Sequence, residues 1–315
     1  MRGGIRNVGN TCYVSSVLQA LLAAAPLAEI ATAPSAASGF LDALQSVSGA
    51  VRAGGTGDPT ALLAAMRFVR GFDTGQQNDA HEFMIMLLQA WDEALRPSHG
   101  ASAARWVAEL PDERADRRVV DFVRQAHDSW RRSVASSSRL ADIVNGQLVC
   151  QVTCAHCETP VQRFEEFSHL IVPCAASVGD ALQRYMHPDA TTDAAWTCER
   201  CRQNRPFVQS YWFTRLPPVL VVVVQRFDGQ CRKATTRVRF DTHLQLAHFA
   251  TFASDAPYRL SAVVCHTGGT SSGHYVCLVV STDGPSVVCD DDAVLPAGSA
   301  DSEATGYVAV YERIG

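Results

Sequence analysis

The sequence is poor in charge and in long apolar runs. Charged residues make up 19% of the 315, and the formal net charge is −5. No basic stripe of the kind that follows a phosphate backbone is present, so no nucleic-acid partner is expected. The acidic balance suits a basic protein partner, although −5 is small for this length. Apolar runs such as VLVVVV at 219–224 fall far short of the ~20 residues that span a bilayer, so no membrane partner is expected. The N-terminus has no charged segment leading into an apolar stretch, so no secretory signal is expected. The eleven cysteines are an odd number and are not spaced as a dense disulfide framework. Internal repeats and coiled-coil heptads are absent. These absences favour a reducing compartment, cytoplasm or nucleus, where cysteines serve as metal ligands or nucleophiles.

What is present is a core. Hydrophobic residues are 47% of the chain, enough for one large domain or two smaller ones. Helical patterns come first. Val14, Val17, Leu18, Leu21 and Leu22 recur at helical spacing after Cys12, with Asn10 or Thr11 as the cap and Pro26 as the stop. Further helices are expected over 40–51, 59–69, 79–95 and 113–132, the last with Val119, Phe122, Val123, Ala126 and Trp130 on one face. Residues 97–112 read as loop, and SVASSSR at 133–139 reads as a break. Short β-rich runs follow, from GQLVCQVTC at 146–154 to YVAVYERI at 307–314. Helices then strands is an α+β order.

Two cysteine pairs carry the strongest local signal. Cys154, Cys157, Cys198 and Cys201 form two CxxC turns. Each turn lets two thiolates converge, and two turns together make a closed tetrahedral site for one structural zinc. The intervening stretch exceeds a compact ribbon, so the two turns are expected on separate hairpins. Four thiolates leave His156 no ligand role.

Cys12 stands apart from these. It follows Gly9, Asn10 and Thr11 at the start of a helical pattern, where unpaired backbone N–H groups and the helix dipole favour an acidic, reachable thiolate. A nucleophile needs a base. His274 sits after the Gly/Ser-rich GGTSSG and at the head of an apolar strand. His266 is the competing candidate, while His81 lies within a helix. The imidazole needs an orienting carboxylate. Asp290 is the first choice from the DDD run and Asp291 the second, with at least one of the three left as a solvated turn. The Cys12 backbone N–H and the carboxamide of Asn7 or Asn10 are candidate donors to an oxyanion.

The order Cys, CxxC, CxxC, His, Asp resembles the catalytic domain of ubiquitin-specific proteases, the papain-like cysteine deubiquitinases. GIRNVGNTCYVSSVLQALL, QQNDAHEFMIMLL, VTCAHC, WTCERC, LPPVLVVVVQRF, YRLSAVVCHTGGTSSGHYVCLVV and CDDDAV are each similar to a segment of that family. The resemblance implies a right-hand architecture. A helical thumb over 1–139 carries the nucleophile. Zinc-stapled fingers, about 140–215, interleave with a β palm to 315. It implies Cys12 as nucleophile, His274 as base, Asp290 as its orienter and Asn7 at the oxyanion hole. Asp79 and Glu82 correspond to residues that hold the ubiquitin tail, and Asp79 also reads as an N-cap. Phe227 and Tyr275 correspond to aromatics of a channel that admits only Gly-Gly. Ser15, Asn78 and Cys289 depart from the family pattern. MRGG at 1–4 echoes the ubiquitin tail and is assigned no role. The chain opens almost at the cysteine motif, so no preceding targeting domain is expected. The expected function is hydrolysis of the bond after ubiquitin's C-terminal Gly-Gly by a monomer. The alternatives are a protease for another ubiquitin-like modifier and a non-catalytic ubiquitin-binding scaffold.

Overall fold

The computed structural model describes residues 2–33, 39–70, 76–96, 117–133, 138–187, 196–227, 229–230, 232–251, 257–269 and 272–314. The loop expected at 97–112 and most of the break at 133–139 lie outside them.

Helices come first, as the periodicity implies. They are α1 (Cys12–Leu21), α2 (Ala25–Thr32), α3 (Gly39–Arg52), α4 (Thr60–Arg70), α5 (Ala80–Leu95), α6 (Arg117–Ser133) and α7 (Arg139–Val144). Pro26 does not end α1. It lies in the first turn of α2, where its missing N–H costs nothing. Every residue of α1 is buried, because it packs between α5 and the strands that follow. On α6 the buried stripe is Val123, Ala126 and Trp130. Val119, expected on that stripe, is 49% exposed.

Among the described residues the strands build three sheets. The smaller three-stranded sheet has β1 (Gly146–Cys154) between β2 (Pro160–Phe167) and β6 (Phe207–Arg215). A minimal hairpin joins β4 (Thr197–Cys198) to β5 (Gln203–Asn204). The large sheet runs β12 (Ala293–Pro296), β11 (Val287–Asp290), β10 (Gly273–Val279), β9 (Pro257–Gly268), β13 (Gly306–Arg313), β7 (Val219–Gln225), β3 (Leu170–Pro173), with β8 (His243–Gln245) paired to β9. Thus β3 and helix α8 (Val178–Met186), although within the expected finger span, belong with the large sheet.

Strand alternation explains the run VLVVVV. Val219, Val221 and Val223 face the helical layer, together with Val14, Val17, Leu18 and Phe83. Leu220, Val222 and Val224 face the opposite core, with Leu182 and Met186 of α8. β7 is therefore buried on both faces, which is why it reads as continuous rather than alternating. The layers agree with the α+β right-hand architecture. α1 lies on the face of the large sheet made by β9, β10, β11 and β13, and this places position 12 over the end of β10.

Candidate active site

The turn before Cys12 is built by one side chain. Gly9 (φ 110°) and Asn10 (φ 52°) are both in the left-handed region. Oδ1 of Asn7 accepts from Gly9 N (3.0 Å), Thr11 N (3.2 Å) and Thr11 Oγ1 (3.1 Å). Thr11 holds the N-cap position without a side-chain cap, because its hydroxyl is used within this turn. Asn7 Nδ2 donates to Asp291 Oδ2 at 2.8 Å. The carboxamide is thereby fixed from both ends.

The segment before it explains the two glycines of MRGG. A Cβ on Gly3 would sit 1.7 Å from Gly55 O, and one on Gly4 would sit 2.2 Å from Asp292 O. The chain is pinched between two backbones. Ile5 N donates to Asp291 O (2.8 Å), and Gly57 N donates to Gly4 O (2.9 Å). Only glycine allows that approach.

Imidazole and carboxylate meet as expected. His274 Nε2 lies 2.6 Å from Asp290 Oδ1, both side chains being partly exposed. The three aspartates separate cleanly: Asp290 on His274, Asp291 on Asn7, and Asp292 exposed to solvent. His266 is engaged elsewhere, with Lys233 Nζ 3.1 Å from its Nδ1. It stacks on Tyr275 (4.4 Å between centroids), and burial beside Lys233 holds it down at about 4.

Cys12 departs from expectation. Its residue is 4% exposed. Burial pushes the thiol above its usual range. The backbone N–H groups of Tyr275, Tyr13 and Cys12 pull it down, while the Asp291 carboxylate adds to the push. Desolvation outweighs the donors, so the resting thiol is neither acidic nor openly reachable. The Tyr275 contact still matters, because it puts the sulfur beside the residue that follows His274.

The aromatic wall next to the sulfur is continuous. Phe227 packs on His266 and Tyr307 at 5.9 Å each. Tyr275 and Tyr307 direct their hydroxyls to Asp79 at 3.4 and 3.2 Å. Asp79 also caps α5, with Oδ1 accepting from His81 N (2.8 Å) and Glu82 N (3.1 Å). Glu82 is exposed on the first turn of α5. His81 packs edge-on against His169 at 4.7 Å.

The four CxxC cysteines converge on two hairpins. Their sulfurs all lie within 4.8 Å of one another and could hold a metal ion. Cys157–Cys198 is 3.6 Å and Cys154–Cys201 is 4.0 Å. The turns share one backbone device. Glu158 and Arg202, each directly after the second cysteine of its pair, have φ of 55° and 56°. Glu158 N and Arg202 N then close onto Cys154 O and Cys198 O at 2.9 and 2.7 Å. His156 stays outside the cluster, with Nδ1 3.7 Å from the Cys201 sulfur.

The sequence profile described as ubiquitin carboxyl-terminal hydrolase matches residues 3–311. The chain belongs to the ubiquitin carboxyl-terminal hydrolase family. Among curated relatives, ubiquitin carboxyl-terminal hydrolase 23 of Arabidopsis thaliana is 30% identical over 93% of this chain and 33% of its own length. Ubiquitin carboxyl-terminal hydrolase 2 of Rattus norvegicus is 27% identical over 98% of this chain and 53% of its own length. The chain thus spans a third to a half of these relatives. Among solved structures, the yeast SAGA DUB module superposes with TM-score 0.76 at 18% identity, covering 99% of this chain and 68% of that one. A SAGA DUB module bound to monoubiquitin gives 0.72 at 17% identity, covering 99% and 69%. Both show the fold.

Within this family member two further residues brace the β9–β10 turn, and sequence reasoning did not single them out. Lys233 Nζ donates to His266 O (2.7 Å) and Gly268 O (3.0 Å). Gln77 exchanges hydrogen bonds with the backbone of Gly273. Gln77 lies inside the quoted QQNDAHEF segment, but its target is 196 residues away.

Proposed function

We propose that this chain is a thiol-dependent deubiquitinase that cleaves the bond after the C-terminal Gly-Gly of ubiquitin. The observation that carries the reading is the Cys12 sulfur lying against the Tyr275 backbone, one residue from the His274–Asp290 pair, in a member of this family.

In this reading His274 accepts the Cys12 proton and the thiolate attacks the carbonyl of ubiquitin's last glycine. Asp290 orients the ring and stabilises the imidazolium. Charge then builds on the carbonyl oxygen. The Cys12 backbone N–H and the second N–H of the Asn7 carboxamide serve as donors, the first N–H of that amide being held by Asp291. One such donor is worth about 100- to 1000-fold. His274 returns its proton to the leaving amine, a lysine Nζ in an isopeptide. Water, deprotonated by His274, then hydrolyses the thioester.

The resting thiol fits this sequence of events. Among the described residues no hydrogen bond joins the Cys12 sulfur to an imidazole nitrogen. Catalytic hydrogen bonds commonly tighten only with substrate in place. In this reading Phe227, Tyr275 and Tyr307 line the channel for a tail without side chains, and Glu82, exposed on the first turn of α5, meets a cation on it.

The metal of this reading is one structural zinc. Zn–S bonds of about 2.3 Å set tetrahedral sulfur–sulfur edges of about 3.8 Å. The observed 3.6 and 4.0 Å bracket that edge. Zinc would hold the two finger hairpins together.

The test is hydrolysis of a fluorophore amide-linked to ubiquitin, with the same fluorophore on a panel of sister modifiers. Release from ubiquitin by the wild type and none by Cys12→Ala is expected. Binding of ubiquitin without release indicates a scaffold, and release from another modifier alone overturns the substrate assignment.

A further inference from the structure

We propose that Gln77 is a positioning residue that sets the register of His274 against Cys12. Its Nε2 donates to Gly273 O at 3.1 Å, and its Oε1 accepts from Gly273 N at 3.2 Å. A side-chain amide here pairs with one backbone residue as a neighbouring strand would. The place needs it. β11 begins to pair with β10 only at Cys277, so among the described residues no strand covers the start of β10 on that side, where Gly273 presents both its polar groups. Gly273 must lie close on the other side as well, since a Cβ there would meet His266 Nε2 at 2.2 Å. Lys233 fixes that other side through His266 O and Gly268 O.

The same three-residue turn grips the neighbours of both reacting groups. Gln77 holds Gly273, directly before His274. Asn78 Nδ2 donates to the hydroxyl of Tyr13, directly after Cys12, at 3.2 Å. Asp79 accepts from the hydroxyl of Tyr275, directly after His274. The nucleophile comes from a helix and the base from a sheet, and this turn bridges the two. The Gln77 link requires a group that both donates and accepts. A carboxylate only accepts, and a thioether donates nothing and accepts only weakly.

The activity readout rests on the deubiquitinase reading above, so a second readout that needs no ubiquitin accompanies it. Gln77→Met and Gln77→Glu are compared with wild type and with Gln76→Ala, a neighbouring side chain outside the link. kcat and KM are measured on the ubiquitin amide, and Cys12 alkylation by chloroacetamide is followed against pH. Gln77→Met is expected to lower kcat roughly 10- to 100-fold, the usual effect of an ångström-scale misplacement, with KM little changed. Alkylation requires the buried sulfur to open toward His274, so at neutral pH its rate in Gln77→Met should fall below that of wild type. Gln77→Glu, which keeps one of the two hydrogen bonds, should fall between. Gln76→Ala should match wild type. Wild-type kcat and alkylation in Gln77→Met, a change in KM alone, or an equal loss in Gln76→Ala overturns the proposal. If Gln77→Met melts early, Gln77→Glu is judged by the same criteria. If wild type leaves ubiquitin amides intact while alkylation still depends on Gln77, the substrate reading falls and the positioning role stands.

Discussion

Gly4→Ala perturbs the site without touching a reacting group. The added Cβ would lie 2.2 Å from Asp292 O, 2.4 Å from its carbonyl carbon and 2.5 Å from its Cα. All three are backbone atoms, so no side-chain rotation relieves the clash. Ordinary contact begins at 3.4 Å, and the segments must part by about 1 Å. Overpacking of this kind costs about 1–3 kcal/mol. The functional cost should be larger. Ile5 N–Asp291 O and Asn7 Nδ2–Asp291 Oδ2, both 2.8 Å, tie the same segment to the site. Parting them releases Asn7 from Asp291 and moves it relative to the sulfur. A shift of about 1 Å costs roughly 100-fold in rate. Gly49→Ala is the control, since it lies exposed within α3 with nothing within 4 Å of a new Cβ. It should gain about 0.5–1 kcal/mol from helix propensity. Urea unfolding and kcat/KM on the ubiquitin amide measure both effects. Gly4→Ala with wild-type stability and turnover would refute the pinch.

The three adjacent aspartates should separate in turnover. Asp290→Ala, which strips His274 of its partner, should lower kcat by about 100-fold or more, Asp291→Ala should also lower it by loosening Asn7, and Asp292→Ala should stay within about twofold. Acid should weaken the fold through two desolvated histidines, one buried and one half-buried. His169 and His266 are both held down to about 4, chiefly by burial; a depressed histidine adds stability above its ordinary value near 6.5 and loses it as pH falls toward about 4, so Tm should drop across that window, and less so in His169→Gln. Stripping metal with a chelator, or Cys154→Ser, should remove about one zinc per chain by elemental analysis and lower Tm, with Cys12 alkylation retained.

Much of this molecule was legible because its signals are local. The CxxC spacing fixes two turns whatever surrounds them, and the helical spacing after Cys12 and the apolar run after His274 name their elements directly. Helix α8 was legible too, although it was not expected. Ser177 caps it by accepting from Asp180 N at 3.1 Å, and the S-x-x-D pattern of Ser177 and Asp180 advertises this. What sequence reasoning missed depends on distant partners. Pro26 reads equally as the end of one helix or the start of the next, and only packing decides. The resting thiol of Cys12 is buried, and the Tyr275 backbone and the Asp291 carboxylate that act on it come from the far end of the chain. Asp79 reads as an N-cap, but its bonds to Tyr275 and Tyr307 tie the helices to the sheet.

The most direct test of the central claim is to expose the protein to ubiquitin carrying a C-terminal electrophile and to locate the adduct by peptide mass mapping. A single adduct on Cys12, formed far more slowly by His274→Ala, is the predicted result. An adduct on any other cysteine, or the same rate without the His274 imidazole, contradicts it.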